Sequence, residues 1–162
     1  MATAETLVLG LGNPLRGDDG VGPAIAAWLQ KHGAPPGVDV VDDGAAGIDL
    51  VSTWAGYRRV FIVDAANMAR APGEWVRFTP DTARLENGES SGMTLHNAGL
   101  ADALALGATL GLLPEHVVIY GVQPARLDWS PELSAEVQAA VPAVGYALLQ
   151  DIGGQHGKDS DH

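Results

Sequence analysis

Apolar residues along the chain alternate between short unbroken runs and helically spaced stripes. Leu7, Val8, Leu9 and Leu11 form a continuous apolar run around Gly10. This pattern predicts a strand buried on both faces of a parallel sheet. After a loop rich in Gly and Asp, Val21, Ile25, Trp28 and Leu29 recur at i, i+4, i+7 and i+8 and predict a helix. That helix should end near His32-Gly33, with Pro35-Pro36 preventing continuation. Val38 to Val41 reads as a second strand, followed by the turn Asp42-Asp43-Gly44-Ala45-Ala46-Gly47 and a helix over 48–55. Val60 to Val63 is the clearest strand, β-branched, aromatic and uncharged, and it is expected to end at Asp64. A further strand over 74–79 should be entered by the Pro72-Gly73 turn.

The second half continues the alternation. Residues 80–95 show no clean period, which predicts a loop that is functional or mobile. Leu100, Ala103, Leu104 and Ala108 mark a helix from near Asn97, and Val117 to Tyr120 a strand closed by Gly121-Val122-Gln123-Pro124. Leu133, Val137, Ala140, Val141, Val144 and Leu148 mark a C-terminal helix. Ser130 suits its N-cap and Pro131 its first position, and Pro142 should kink or interrupt it. Strands alternating with helices predict an α/β three-layer sandwich, a mostly parallel central sheet flanked by helices. The reading is one domain over 1–152, with a flexible polar tail over 153–162. In such sheets sites gather at the carboxyl ends of the strands. That rule selects Asp18, Asp19, Asp42, Asp43, Asp64 and the Gly121 turn.

Composition narrows the function. The 162 residues carry a formal charge of −11, with 9 basic residues that form no cluster. Nucleic-acid binding rests on Lys and Arg neutralising phosphates, so a nucleic-acid partner is not expected. The absence of cysteine removes disulfides, a thiol nucleophile and thiolate metal sites. No run approaches the roughly 20 apolar residues of a membrane span, and the first residues lack a basic segment, so a cytoplasmic chain without membrane insertion is expected.

The chemistry-bearing residues admit several readings. Gly10-Leu11-Gly12 resembles a dinucleotide loop only in its first half, since Leu15 stands where the third glycine belongs. An acidic pair before a helix would also repel a pyrophosphate. No Gly-x-Ser-x-Gly elbow supports a serine hydrolase. Asp18 and Asp19 suit helix capping or a metal. Asp64 is an exposed turn residue or a carboxylate at the sheet edge, and His96 a surface group or a ligand. Two carboxylates and one imidazole on three loops at one edge would make an open site for a borderline divalent ion.

Two families share the opening. Gly10-Leu11-Gly12-Asn13-Pro14 is similar to the start of peptidyl-tRNA hydrolases, but Asp18-Asp19-Gly20 and the acidic charge argue against that reading. Over about residues 6–150 the chain resembles the hydrogenase maturation proteases. The resemblance runs through Gly10-x-Gly12-Asn13, Asp18-Asp19-Gly20-x-Gly22, Asp42 to Gly47, Val63-Asp64-Ala65, Pro72-Gly73, Leu95-His96-Asn97-Ala98-Gly99-Leu100, Gly121 to Pro124 and Leu133-Ser134. The order and spacing of these segments are specific together.

The resemblance implies a phosphorylase/hydrolase-like fold and a metal-dependent, aspartic-type endopeptidase. Such an enzyme removes the C-terminal extension of a nickel-iron hydrogenase large-subunit precursor and so activates it. It implies that Asp19, Asp64 and His96 are both the metal-contacting and the catalytic residues. It also implies that the nickel is supplied by the substrate precursor, with no permanent cofactor, and that the enzyme is a monomer. Two departures stand out: an Asp in the first loop where some members have Glu, and Asp43 and Ala45 where Gly and Thr are common. The roles of Asp18 and Asp43 stay open. So does the choice between a catalytic and a purely recognitional metal, and a non-catalytic chaperone for the precursor is the competing reading.

Overall fold

The computed structural model describes residues 4–43, 47–80, 94–95 and 98–161. Strand β1 (Thr6–Leu11) is buried at every position, as an unbroken apolar run requires. A single 3₁₀ turn (Gly17–Gly20) leads into α1 (Val21–His32), which stops at Gly33 in a left-handed conformation. Next come β2 (Val38–Asp43), α2 (Leu50–Trp54), β3 (Arg59–Asn67), β4 (Trp75–Phe78) and β5 (Thr94–Leu95). Helix α3 (Ala98–Leu110), β6 (His116–Val122) and α4 (Ala135–Asp161) complete the order.

The strands lie in the order β2-β1-β3-β6-β4, and the two-residue β5 pairs with β3. β2, β1, β3 and β6 are parallel, while β4 runs antiparallel along the edge of β6. The chain leaves β1 for β2 on one side and returns to β3 on the other. The carboxyl ends of β1 and β3 therefore flank the point where the strand order reverses, where α/β sheets open a crevice.

Both faces of the sheet are covered, as the fold class predicts. On one face Val8, Phe61, Val63, Val118 and Tyr120 pack against Val21, Ile25 and Leu29 of α1 and Val137, Val141 and Val144 of α4. On the other, Leu7, Leu9, Val60, Ile62 and Ile119 pack against Leu50 and Trp54 of α2 and Leu100 and Leu104 of α3. The period-two alternation of β1 and β3 separates these two cores. Glycine sets how close α1 comes. A methyl on Gly22 would collide with the Leu11 backbone and lie 2.8 Å from the Val63 carbonyl oxygen, and one on Gly10 would collide with the Gly22 carbonyl. The first turn of α1 is thereby seated over the ends of β1 and β3.

Several boundaries differ from the sequence reading. β3 does not end at Asp64 but runs to Asn67, because its last residues find partners in β6 and β5. β2 takes in Asp42 and Asp43, which pair with Gly10 and Leu11. α4 starts at Ala135, not at Pro131, and Pro142 does not interrupt it. The apolar stripe of this helix packs along the sheet on both sides of the proline, and tertiary burial outweighs one missing hydrogen bond. The helix also runs past Gly153 to Asp161, where a tail was expected. Glycine weakens a helix without forbidding it. The irregular stretch over 81–93 lies outside the described residues. Among the described residues no helix is long and apolar enough to cross a membrane.

A polar clamp ties α4 to the sheet. Tyr120 of β6 donates its hydroxyl to Asp151 Oδ2 at 2.6 Å, and Arg77 of β4 donates Nε–H to the same oxygen at 2.7 Å. Burial, then the bond to Asp151, hold the Tyr120 phenol protonated well beyond its ordinary range. In the unfolded chain that phenol ionises near pH 10. Above that pH the unfolded state binds fewer protons than the folded state, so stability is complete below about pH 10 and declines as pH rises. Denaturant titrations between pH 9 and 11 should show this decline. Tyr120→Phe should flatten its slope, whereas an unchanged slope would show that the phenol does not sense folding.

Candidate active site

The first loop is built from its backbone outward. Gly12 has φ of +130°, a region side chains avoid, and a methyl there would collide with the Asp19 carbonyl. Asn13 Oδ1 accepts the Leu15 N–H at 2.9 Å, and Arg16 N–H and Asp19 N–H close two successive turns at 3.0 Å each. The loop so formed sets two chemically identical neighbours in opposite environments.

Asp18 is fully buried. Its Oδ2 accepts Ala125 N–H at 2.7 Å, Arg126 N–H at 3.1 Å and the Ser134 hydroxyl at 2.9 Å, and its Oδ1 accepts Ser134 N–H at 2.7 Å. The expected role in capping the helix of its own loop is not what it does, since neither that 3₁₀ turn nor α1 has a side-chain cap. Asp18 instead holds the N-cap of α4. That cap is Ser134, not Ser130: its Oγ accepts Val137 N–H and its carbonyl accepts Gln138 N–H. Ser130 forms a parallel bridge with Arg16.

Asp19 is half-buried. Its Oδ2 accepts Asn13 N–H at 2.9 Å, and its Oδ1 takes no hydrogen bond among the described residues. One oxygen is thus anchored while the other can take a ligand.

Asp64 is fully buried in β3, on the sheet face shared with Ile62 and paired in register with Gly121. The last paired residues of β1 and β3 are Gly10 and Val63, so Leu11 and the Asp19 loop leave β1 alongside Asp64. β1 and β3 are direct neighbours in the sheet. Asp43 pairs with Leu11 at the same edge, separated from β3 by β1.

His96 lies outside the described residues. The two residues before it by one and two positions are placed: Leu95 pairs with Ala66 and Thr94 with Asn67, just past Asp64. Among the described residues no three His, Asp or Glu side chains gather closely enough to hold a metal ion. The structure therefore brings the Asp19 loop, Asp64 and the strand leading to His96 to one edge.

Gln123 is a residue whose structural part was not read from sequence. Its Oε1 accepts Met68 N–H at 2.7 Å and Arg70 N–H at 3.3 Å, and its Nε2 donates to Asn67 Oδ1 at 3.3 Å. It fastens the turn that follows the β5-paired end of β3. The available signal was a lone amide one residue past an apolar strand, which is weak. For Asp18 the signal was equally slight, because the sequence does not say which aspartate of the pair turns inward.

The hydrogenase maturation protease family model (HycI) matches residues 23–151. The chain is 35% identical over 147 residues to the hydrogenase expression/formation protein HupD of Thiocapsa roseopersicina, covering 89% of this chain and 66% of that protein. It thus spans just under two thirds of that relative's length. Its fold is similar to the hydrogenase maturating endopeptidase HybD from E. coli, with a TM-score of 0.80, 28% identity and 93% of both chains covered. It is also similar to the [NiFe] hydrogenase maturation protease HybD from Thermococcus kodakarensis, with a TM-score of 0.74, 27% identity, and 89% and 96% of the chains covered.

Removing the Asp18 carboxylate strands several buried donors. Asp18→Ala is expected to cost about 3–5 kcal/mol, which lowers Tm by roughly 10 °C in a domain of this size. Asp18→Asn keeps the shape but turns an NH₂ toward donors, and should fall in between. A calorimetric Tm within about 2 °C of wild type for Asp18→Ala would remove it as a structural node.

Proposed function

The chain belongs to the hydrogenase maturation protease family, and from this premise we propose that it trims the C-terminal extension of a nickel-iron hydrogenase large-subunit precursor at the crevice between β1 and β3. It is a hydrolase of the endopeptidase class. The observation that carries the reading is the convergence of three segments at one switch point: the Asp19 loop, Asp64, and β5 ending one residue before His96.

In this reading Asp19, Asp64 and His96 are the metal-contacting and catalytic groups. The nickel belongs to the substrate: it arrives in the precursor, and the protease holds no permanent cofactor. The donor set suits that task. Two carboxylates and an imidazole are acceptable to a borderline divalent ion, and they leave coordination positions for the precursor's own ligands. Asp19 supports the reading further, with one oxygen oriented by Asn13 and the other available. A precursor without nickel would lack the contact these residues make, so specificity would follow from a required ligand. When bound, the metal supplies charge that can polarise the scissile carbonyl or acidify a water, and a carboxylate can accept the proton. Trimming would activate the hydrogenase subunit. We place the protein in the cytoplasm as a monomer.

Intact-mass measurement of the precursor, with and without nickel, tests this directly. Wild-type protein should release a C-terminal peptide from nickel-loaded precursor alone. Asp64→Asn and His96→Ala should slow that release by about 100-fold or more while retaining the native circular dichroism spectrum. Normal trimming by His96→Ala would refute its assignment. Cleavage of nickel-free precursor would keep the protease and discard metal recognition. Binding without cleavage would favour the chaperone reading.

A further inference from the structure

We propose that the exposed Leu15 and Trp129, with the groove beside them, dock an apolar segment of the hydrogenase precursor next to the cleavage crevice. This rests on the proposed protease reading and adds where the substrate is gripped. Leu15 is 59% exposed and Trp129 72% exposed, a large apolar surface for a segment that is otherwise well ordered.

The order is in the hydrogen bonds. Ser130 N–H donates to the Leu15 carbonyl at 2.9 Å, and Gly17 N–H to the Ser130 carbonyl at 2.8 Å. These bonds flank the Arg16–Ser130 bridge, and Leu15 and Trp129 each stand one residue before it. Arg16 donates Nη2–H to the Leu127 carbonyl at 3.1 Å and lays its guanidinium over the Trp129 indole, 5.1 Å from the ring centroid. Trp129 is therefore held outward by its neighbours. A rigid exposed tryptophan loses little freedom on binding, which is why such residues dominate interface energetics.

Continuity with the candidate site identifies the occupant. A groove of about 550 Å³ begins at Pro14, next to Leu15, and at Pro131, two residues past Trp129; Pro23, Ala24 and Leu133 give it apolar walls, and Glu132 and Gln138 add polar groups. Pro14 follows Asn13, which anchors Asp19, and Gly20, which also lines the groove, follows Asp19 itself. Asp18 bonds the loop carrying Asp19 to the segment that leads into α4, so patch and crevice form one rigid unit. By contrast, the exposed Leu112 (47%) lies at the opposite edge of the sheet, before the amino end of β6.

The test is steady-state trimming of nickel-loaded precursor, together with precursor affinity by interferometry and the oligomeric state by light scattering. Trp129→Ala and Leu15→Ala should each raise KM and Kd by about 10-fold, the double variant further, with Tm unchanged because both side chains are exposed. Leu112→Ala serves as the control and should leave both constants at the wild-type value. Wild-type constants in the double variant would overturn the docking surface while leaving the protease intact. If wild-type protein binds precursor without cutting it and Trp129→Ala weakens that binding, docking stands and the protease reading falls. If wild-type protein does not bind precursor at all, both fall. A dimer that Trp129→Ala dissociates, with KM unchanged, would assign the surface to a second copy and overturn the proposal.

Discussion

A buried carboxylate is costly to place and costly to remove, and Asp18 organises this molecule through both facts. Burying a charge without partners is prohibitive, so the chain must deliver donors to it. It delivers three backbone N–H groups and a hydroxyl, from two places more than 100 residues further along the chain. Once they are in place, the first loop, the end of β6 and the start of α4 cannot move independently. The helix cap Ser134, the Arg16–Ser130 bridge and the position of Asp19 all depend on this node.

The neighbouring aspartates illustrate how environment divides labour between identical residues. Asp18 spends its oxygens on structural donors. Asp19, one residue on, keeps an oxygen free of hydrogen bonds among the described residues. A ligand to a metal needs both properties nearby: a side chain with spare lone pairs, and a backbone that cannot relax when the charge of the metal is removed or supplied. If the nickel comes with the substrate, the site must hold its shape before the metal arrives. The Asp18 node on one side and the Gln123 amide on the other suit that requirement, since both bind backbone N–H groups of the loops around the crevice.

Rigidity also connects recognition with chemistry. The loop that positions Asp19 through Asn13 and Arg16 also bears Leu15 and is bridged to the segment bearing Trp129, so a partner gripped at the patch would be held close to that loop. The two glycines at the contact of α1 with β1 keep the helix close to the sheet and so hold the loop over the strand ends. The clamp of Tyr120, Arg77 and Asp151 performs the corresponding task for the far part of α4.

The order of elements, the two-sided burial of the central strands and the fold class were legible in the sequence because periodicity is a local property. An unbroken apolar run such as Leu7 to Leu11 can be satisfied only by cover on both faces, and the stripe from Val21 to Leu29 only by a helix. The strand-edge rule put both aspartates of the first loop and Asp64 among the candidates, and only the family resemblance singled out Asp19 and added His96. Properties set by distant partners were not legible. Ser130 looked like the better cap because it precedes a proline, but Asp18 reaches Ser134. Pro142 looked like a break, but packing on both sides of it carries the helix through. Asp64 looked like a strand end until β5 and β6 extended the pairing beyond it. Which aspartate of the pair turns inward, and what Gln123 holds, depend on hydrogen bonds between segments far apart in sequence, and only the folded chain brings those donors and acceptors within reach.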